Sequence, residues 1–217
     1  MIKTKNILII LIPAILIAGF ALFVRVIQYE PLFPKIDEKK QTEAEQNNLI
    51  TIPIYPTDPI IGEKKAPRTI IAFEDFGCEH CRAQFAVVEE FMAKHPDAVK
   101  IIWKSLPVIK FPYASDTANE YGYCLNGQNK FMDFARLAFT NSYQLKQEIL
   151  DAIVKEIGAN EKKLNACIQS GTAKQQIERV KEIARLLNIQ AIPVIFLDNK
   201  QVNPPTTVEG WEAISGL

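Results

Sequence analysis

Phe73-Glu74-Asp75-Phe76-Gly77-Cys78-Glu79-His80-Cys81 decides how this chain is read. It starts at the end of Thr69-Ile70-Ile71-Ala72-Phe73, a mostly β-branched and aromatic run that suits a strand covered on both faces. Gly77 breaks that run. Beyond it Phe85, Val88, Phe91 and Met92 recur every three or four residues, which predicts an amphipathic helix from about Cys81 to His95-Pro96. Val99 to Trp103 reads as a second buried strand. Strand, helix and strand in so short a span make a right-handed βαβ crossover, in which the two strands are parallel.

A Cys-x-x-Cys placed where a strand hands over to a helix reads as a redox motif. Only a thiolate attacks a disulfide, and the free N–H groups and partial positive charge of a helix N-terminus stabilise one. Cys78 is therefore the candidate nucleophile and Cys81 the resolving cysteine. His80 adds a nearby donor that, when protonated, stabilises the same anion. Half a zinc site and a pair of inert core cysteines are the competing readings. Cys124 and Cys167 form no second close pair, and His95 is the only other histidine, so no metal is expected. No cofactor is expected either. His95, at a helix end before proline, reads as a surface or capping residue.

From Tyr113 to Leu187 the pattern is helical almost throughout, broken at Asn126-Gly127, Gly158 and Ser170-Gly171, which gives four or five helices. Ile192 to Leu197 reads as a strand with proline near its start. Asp198-Asn199-Lys200 is a tight turn into Gln201-Val202, and Val208 to Ile214 is a short closing helix. The expected order is β, α, β, helical insert, α, β, β, α.

The stretch Phe73 to Cys81, together with Ala191-Ile192-Pro193 far downstream, resembles the DsbA-like branch of the thioredoxin superfamily over roughly Asp58 to Leu217. The resemblance implies an α/β thioredoxin fold, a central mixed sheet flanked by helices, with a helical domain inserted at about 113–170. It implies thiol-disulfide exchange, a cis peptide bond before Pro193, and a backbone at Ile192 that hydrogen-bonds substrate as an added strand. Some relatives tie the insert with a second disulfide. A Cys124–Cys167 bridge is the corresponding expectation, and two buried free thiols are the alternative.

Three positions depart from the family pattern. The acidic proton relay six residues before the nucleophile is replaced by Ala72. Asp75 or Glu74 is a candidate substitute, the other reading being surface carboxylates at a strand end. Glu79 occupies the slot where strong oxidants often carry proline. Ile192 before the cis-proline resembles thioredoxin more than the usual Thr or Val of disulfide-forming members.

Composition bounds what surrounds this domain. At 217 residues and 48% hydrophobic content the chain holds one well-buried domain plus an appendage. Lys plus Arg and Asp plus Glu both number 25 and neither sign forms a block, so nucleic acid is not an expected partner. Ile7 to Val24 carries no charge and follows Lys3 and Lys5. As a helix it would be roughly 27 Å long, near the thickness of a bilayer core. A single-pass anchor at 1–27 is the reading, with a signal cleaved near Gly19-Phe20-Ala21 as the alternative. Arg25, Lys35, Lys39 and Lys40 outnumber the two preceding lysines, yet long domains translocate largely regardless of charge. The domain is therefore expected outside the cell membrane. Residues 28–57 read as a linker: Asp37 to Asn48 is a solvated tether, and Leu49 to Pro67, with Pro53, Pro56, Pro59 and Pro67, is an irregular lead-in to the domain at 58–217.

The expected function is exchange of disulfides with exported proteins, as a net oxidant recharged by a membrane partner of the DsbB or vitamin K epoxide reductase type. A reductase or isomerase is the alternative within the same chemistry, and a non-enzymatic holdase or scaffold the alternative outside it.

Overall fold

The computed structural model describes residues 17–21 and 51–217. Apart from a helical stretch at 17–21, the expected anchor at 1–27 lies outside the described residues, as does most of the linker. Among the described residues no helix is long and apolar enough to cross a membrane. The chain divides into two units, Met1–Leu49 and Ile50–Leu217, and the elements below all belong to the second.

Strands β1 (Ile60–Gly62), β2 (Arg68–Glu74), β3 (Val99–Ser105), β4 (Val194–Leu197) and β5 (Lys200–Val202) form one sheet in the order β1-β3-β2-β4-β5. Strands β2 and β3 are parallel, joined by helix α1 (Glu79–Lys94), and the other pairs are antiparallel. Both faces of the sheet are covered, which is why Ile70, Ile71, Ala72 and Phe73 of β2 and Ile101, Ile102 and Trp103 of β3 are apolar without alternation. Ile70 and Ala72 face a core shared with α1 and with the closing helix α7 (Val208–Ser215), whose Trp211 stacks on Phe91 at 5.8 Å. Ile71 and Phe73 face the other way, toward Val180, Ile183 and Ala184 of helix α6 (Thr172–Leu186).

Between β3 and α6 lie α2 (Asp116–Asn126), α3 (Phe131–Thr140), α4 (Gln147–Glu156) and α5 (Glu161–Gln169). Phe76 ties this insert to the sheet. Its ring stacks on Trp103 at 5.3 Å and meets Phe134 and Phe139 edge-on at 5.4 and 5.2 Å. Gly122 makes room for it, since a Cβ there would sit 2.8 Å from the Phe76 ring. Cys124 of α2 and Cys167 of α5 are joined by a disulfide.

Two expectations are corrected. The proline-rich lead-in is not wholly irregular: Ile60–Gly62 forms β1, antiparallel to Ile102–Lys100, and the Pro59 carbonyl accepts from the Trp103 N–H. A three-residue edge strand among prolines is too short to leave a periodic signal. The strand expected from Ile192 starts at Val194, because Ile192 and Pro193 form the cis turn before it. The turn from β4 to β5 places Asp198 and Asn199 at φ of 48° and 67°, the left-handed pair a tight hairpin requires.

Candidate active site

The site is built where β2 ends. Asp75, Phe76 and Gly77 turn the chain, and Cys78, in an extended conformation, is the residue that caps α1. Its Sγ accepts the backbone N–H of Cys81 at 3.2 Å, so the sulfur does the work a serine or aspartate oxygen does at an ordinary helix start. Both cysteines are free thiols here. The Cys81 thiol beneath it, the backbone N–H groups of Cys81 and His80, and the helix end together lower the Cys78 thiol to about 7 against the opposition of its burial. Cys81 is fully buried, and that burial, with the Cys78 sulfur beside it, pushes its thiol far upward. One cysteine is primed and the other masked.

Ile192 and Pro193 come from the far side of the chain and are linked by a cis bond. The Ile192 carbonyl lies 3.9 Å from the Cys78 Sγ. Pro193 lines a groove of about 300 Å³ with His80, Ala83, Gln84, Val87, Pro204 and Thr206. Gln84 donates to the Pro205 carbonyl at 3.3 Å, fixing the groove's two walls to each other. The His80 side chain is exposed on this wall, and its part in lowering Cys78 is played by its backbone N–H rather than by the imidazole. His95 is half-buried at the C-cap of α1 and bonds Glu212 of α7 at 3.0 Å, well away from the cysteines.

Glu74 and Asp75 are not surface carboxylates at a strand end. They are 3% and 0% exposed. The sequence carries no sign of this, because burial here comes from the insert and from the loop after β3 folding over the strand end. The two differ in what they touch. Glu74 shares the face of β2 that carries Ala72 and Ile70, and its carboxyl and the Cys81 thiol lie close enough for each to shift the other. Burial, then the charges of Cys78 and Asp75, hold it well above the usual carboxylate range, and its Oε2 has no partner. The Asp75 carboxyl is instead saturated. Its Oδ1 accepts from Gly77 N at 3.0 Å and Asn119 Nδ2 at 2.8 Å. Its Oδ2 accepts from Val108 N, Ile109 N and Ser115 Oγ at 2.8, 2.9 and 2.7 Å. Sequence reasoning did not find Val108, Ile109, Ser115 or Asn119, and nothing in their local pattern points to a carboxylate 33 to 44 residues upstream.

A family model described as thioredoxin matches residues 55–214, and the chain belongs to that family. Its fold is shared with solved proteins of the DsbA type. The thiol-disulfide exchange protein alpha-DsbA2 from Wolbachia pipientis is 19% identical, with a TM-score of 0.67, over 82% of this chain and 94% of that one. A thioredoxin-like oxidoreductase from Silicibacter pomeroyi is 19% identical, TM-score 0.66, over 73% and 90%. Oxidised BdbD from Bacillus subtilis is 20% identical, TM-score 0.61, over 74% and 91%. Among curated sequences, Na(+)/H(+) antiporter NhaA 3 from Salinispora tropica is 21% identical over 166 residues, 76% of this chain. The chain spans about a quarter of the length of the curated relatives it matches.

Proposed function

We propose that this protein is a membrane-anchored, extracytoplasmic thiol-disulfide oxidoreductase that oxidises exported proteins through Cys78 and Cys81. What carries the reading is the asymmetry of the pair: a nucleophile lowered to about 7 at a helix start, and a resolving thiol fully buried beneath it beside a buried carboxyl with one unpartnered oxygen. A family likeness to thioredoxin and solved DsbA-type folds support it.

The reaction begins from the Cys78–Cys81 disulfide. A substrate thiolate attacks the Cys78 sulfur, the enzyme's S–S bond breaks, and Cys81 leaves as a thiolate. Glu74 supplies the proton that Cys81 takes: its buried carboxyl lies beside that thiol, and burial strengthens its hold on a proton relative to an ordinary carboxylate. A second substrate thiolate then attacks the substrate sulfur of the mixed disulfide, and Cys78 leaves in its stabilised anionic form. The substrate loses two electrons and gains a disulfide; the enzyme becomes the dithiol. A substrate strand lies along the Ile192 backbone beside Pro193, with one side chain in the groove that His80 and Pro204 line. A membrane protein of the DsbB or vitamin K epoxide reductase type takes the two electrons away. Residues 1–27 hold the domain at the membrane and 28–57 connect it.

The test is thiol mapping on the full-length chain in detergent. Cys78→Ser should abolish exchange with reduced, unfolded ribonuclease A, and Cys81→Ser should accumulate mixed disulfides through Cys78. Equal alkylation of Cys78 and Cys81 in the reduced protein would refute the assignment. A holdase or scaffold would keep its effect on the client after Cys78→Ser. Glu79 and Ile192 favour a reductase or isomerase as the second reading, which the equilibrium potential against glutathione separates from the first.

A further inference from the structure

The strands that carry the site, β2 and β3, are parallel, so the loops that leave them emerge at the same edge of the sheet. The first is the Cys78 turn. The second is Leu106–Ser115, and Asp75 binds one to the other. Its carboxyl takes Gly77 N from the first loop and Val108 N, Ile109 N and Ser115 Oγ from the second. Asn119 of α2 donates the fifth bond and also bonds the Ser115 carbonyl at 2.9 Å. The same fit is repeated in packing: a Cβ on Gly77 would lie 3.0 Å from the Ile109 Cβ and 3.1 Å from that of Ser115. A carboxylate offers about four lone-pair sites, so five neutral donors use the full accepting capacity of this buried group.

What this joint holds in place is an exposed rim. Val108, Phe111 and Tyr113 project from the second loop, Phe111 with 87% of its surface free. The rim stands at the Cys78 turn, whose other flank is the groove of Pro193 and Pro204. A polypeptide presenting a cysteine to Cys78 covers more of the surface around that turn than a small dithiol does. A small dithiol need only reach the sulfur.

We propose that Asp75 is a positioning residue for exchange with polypeptide substrates, fixing the Val108–Tyr113 rim against the turn that carries Cys78. The proposal rests on the oxidoreductase reading above and extends it to the contacts that favour unfolded chains over small thiols. Asp75→Asn cannot serve all five donors, because the amide nitrogen accepts nothing. The Val108 and Ile109 amides, or those facing Oδ1, are then left without an acceptor.

The experiment compares full-length wild type, Asp75→Asn and Ser115→Ala, each oxidised at Cys78–Cys81. Two rate constants are measured for each, one for oxidising reduced, unfolded ribonuclease A and one for oxidising dithiothreitol, alongside hydrogen exchange of the Val108 and Ile109 amides. The expected result for Asp75→Asn is a fall of at least five-fold in the ratio of the first rate to the second, with faster exchange at both amides. A smaller fall in that ratio, with both rates dropping together as general loosening would cause, overturns the proposal. Ser115→Ala removes one donor and leaves the carboxyl in place, so it carries the same test if Asp75→Asn does not fold; there the ratio should fall at least two-fold, and an unchanged ratio overturns the proposal. If wild type fails to oxidise dithiothreitol at all, it is the oxidoreductase reading that has failed.

Discussion

Glu74 stands two residues beyond Ala72 on the same face of β2, and its buried carboxyl and the buried Cys81 thiol each shift the other. The acid that the family pattern puts at the Ala72 position is thus matched by one a full pleat further along the strand, on the same side and nearer the helix start. Glu74→Gln should slow the step in which Cys81 departs or attacks by on the order of 10²-fold, the usual contribution of a positioned proton donor. Stopped-flow fluorescence of the dithiol forming would show it. The pH dependence has a definite sign. A carboxyl held above its unfolded value adds stability below about pH 4.5 and loses it as pH rises through the folded value. Glu74→Leu should therefore stabilise the protein by roughly 1–3 kcal/mol at pH 7, a gain that shrinks toward pH 4.5. A destabilised Leu variant would mean that the carboxyl has a partner the proposed relay does not include.

The strands, the crossover helix, the helical insert and the cysteine pair were legible because each leaves a local signal. Ile70 to Phe73 is apolar without alternation, Phe85 to Met92 is periodic, and Cys78 and Cys81 are three residues apart at the junction. What was not legible is what tertiary contact alone decides. Glu74 and Asp75 look alike in sequence as adjacent acids at a strand end, yet one is left with an unpartnered oxygen and the other accepts five bonds. The donors to Asp75 lie on a loop and a helix that no periodicity links to it. Strand β1 was hidden for a different reason, since three residues flanked by prolines carry no pattern at all.

The Cys124–Cys167 disulfide closes a separation of 43 residues across the insert, from α2 to α5. A loop of that size gives roughly 4 kcal/mol in the chain-entropy model, with native strain able to reduce it. Cys124→Ser with Cys167→Ser should lower the urea midpoint by an amount equivalent to about 2–4 kcal/mol while Cys78 keeps its reactivity. An unchanged midpoint would show that packing of Leu125, Phe134 and Leu150 holds the insert without it.

Lys104 is buried against Asp58, donates to the Pro53 carbonyl at 2.7 Å, and lies 4.9 Å from the Tyr55 ring centre. Asp58 also accepts from Tyr55 N and Gln176 Nε2, so this pair pins the lead-in segment to the α6 face of the sheet. Lys104→Met strands a buried carboxylate and should cost roughly 3–5 kcal/mol. Adding Asp58→Asn should recover part of that loss in a chemical melt, because the uncompensated charge goes with it. If the double variant were as unstable as the single one, the stability would lie in the bonds to Pro53 and Tyr55 rather than in the charge pair.

The last expectation concerns direction: the dithiol form should be more stable than the disulfide form, which makes the protein a net oxidant. Whatever stabilises the Cys78 thiolate favours the reduced enzyme. The stabilisers are the Cys81 thiol, the backbone N–H groups of Cys81 and His80, and the N-terminus of α1. Glu79 opposes them with a negative charge at the first residue of α1, but its side chain is 63% exposed and lies 3.6 Å from Arg82, so solvent and a cation both screen it. A thiol lowered from 9.0 to about 7 adds stability that is fully present above pH 9 and is lost as pH falls through 7. This term exists only in the reduced form, since the disulfide does not titrate; the upward-shifted Cys81 thiol, also present only there, offsets a small part of it as pH nears 9. The raised carboxyl of Glu74 is present in both forms and largely cancels in the comparison. Urea melts of the reduced and oxidised full-length chain should therefore diverge between pH 7 and pH 9, the reduced form gaining roughly 2 kcal/mol over that window. A disulfide form that stays the more stable of the two across the whole window would reverse the electron flow and favour the reductase reading.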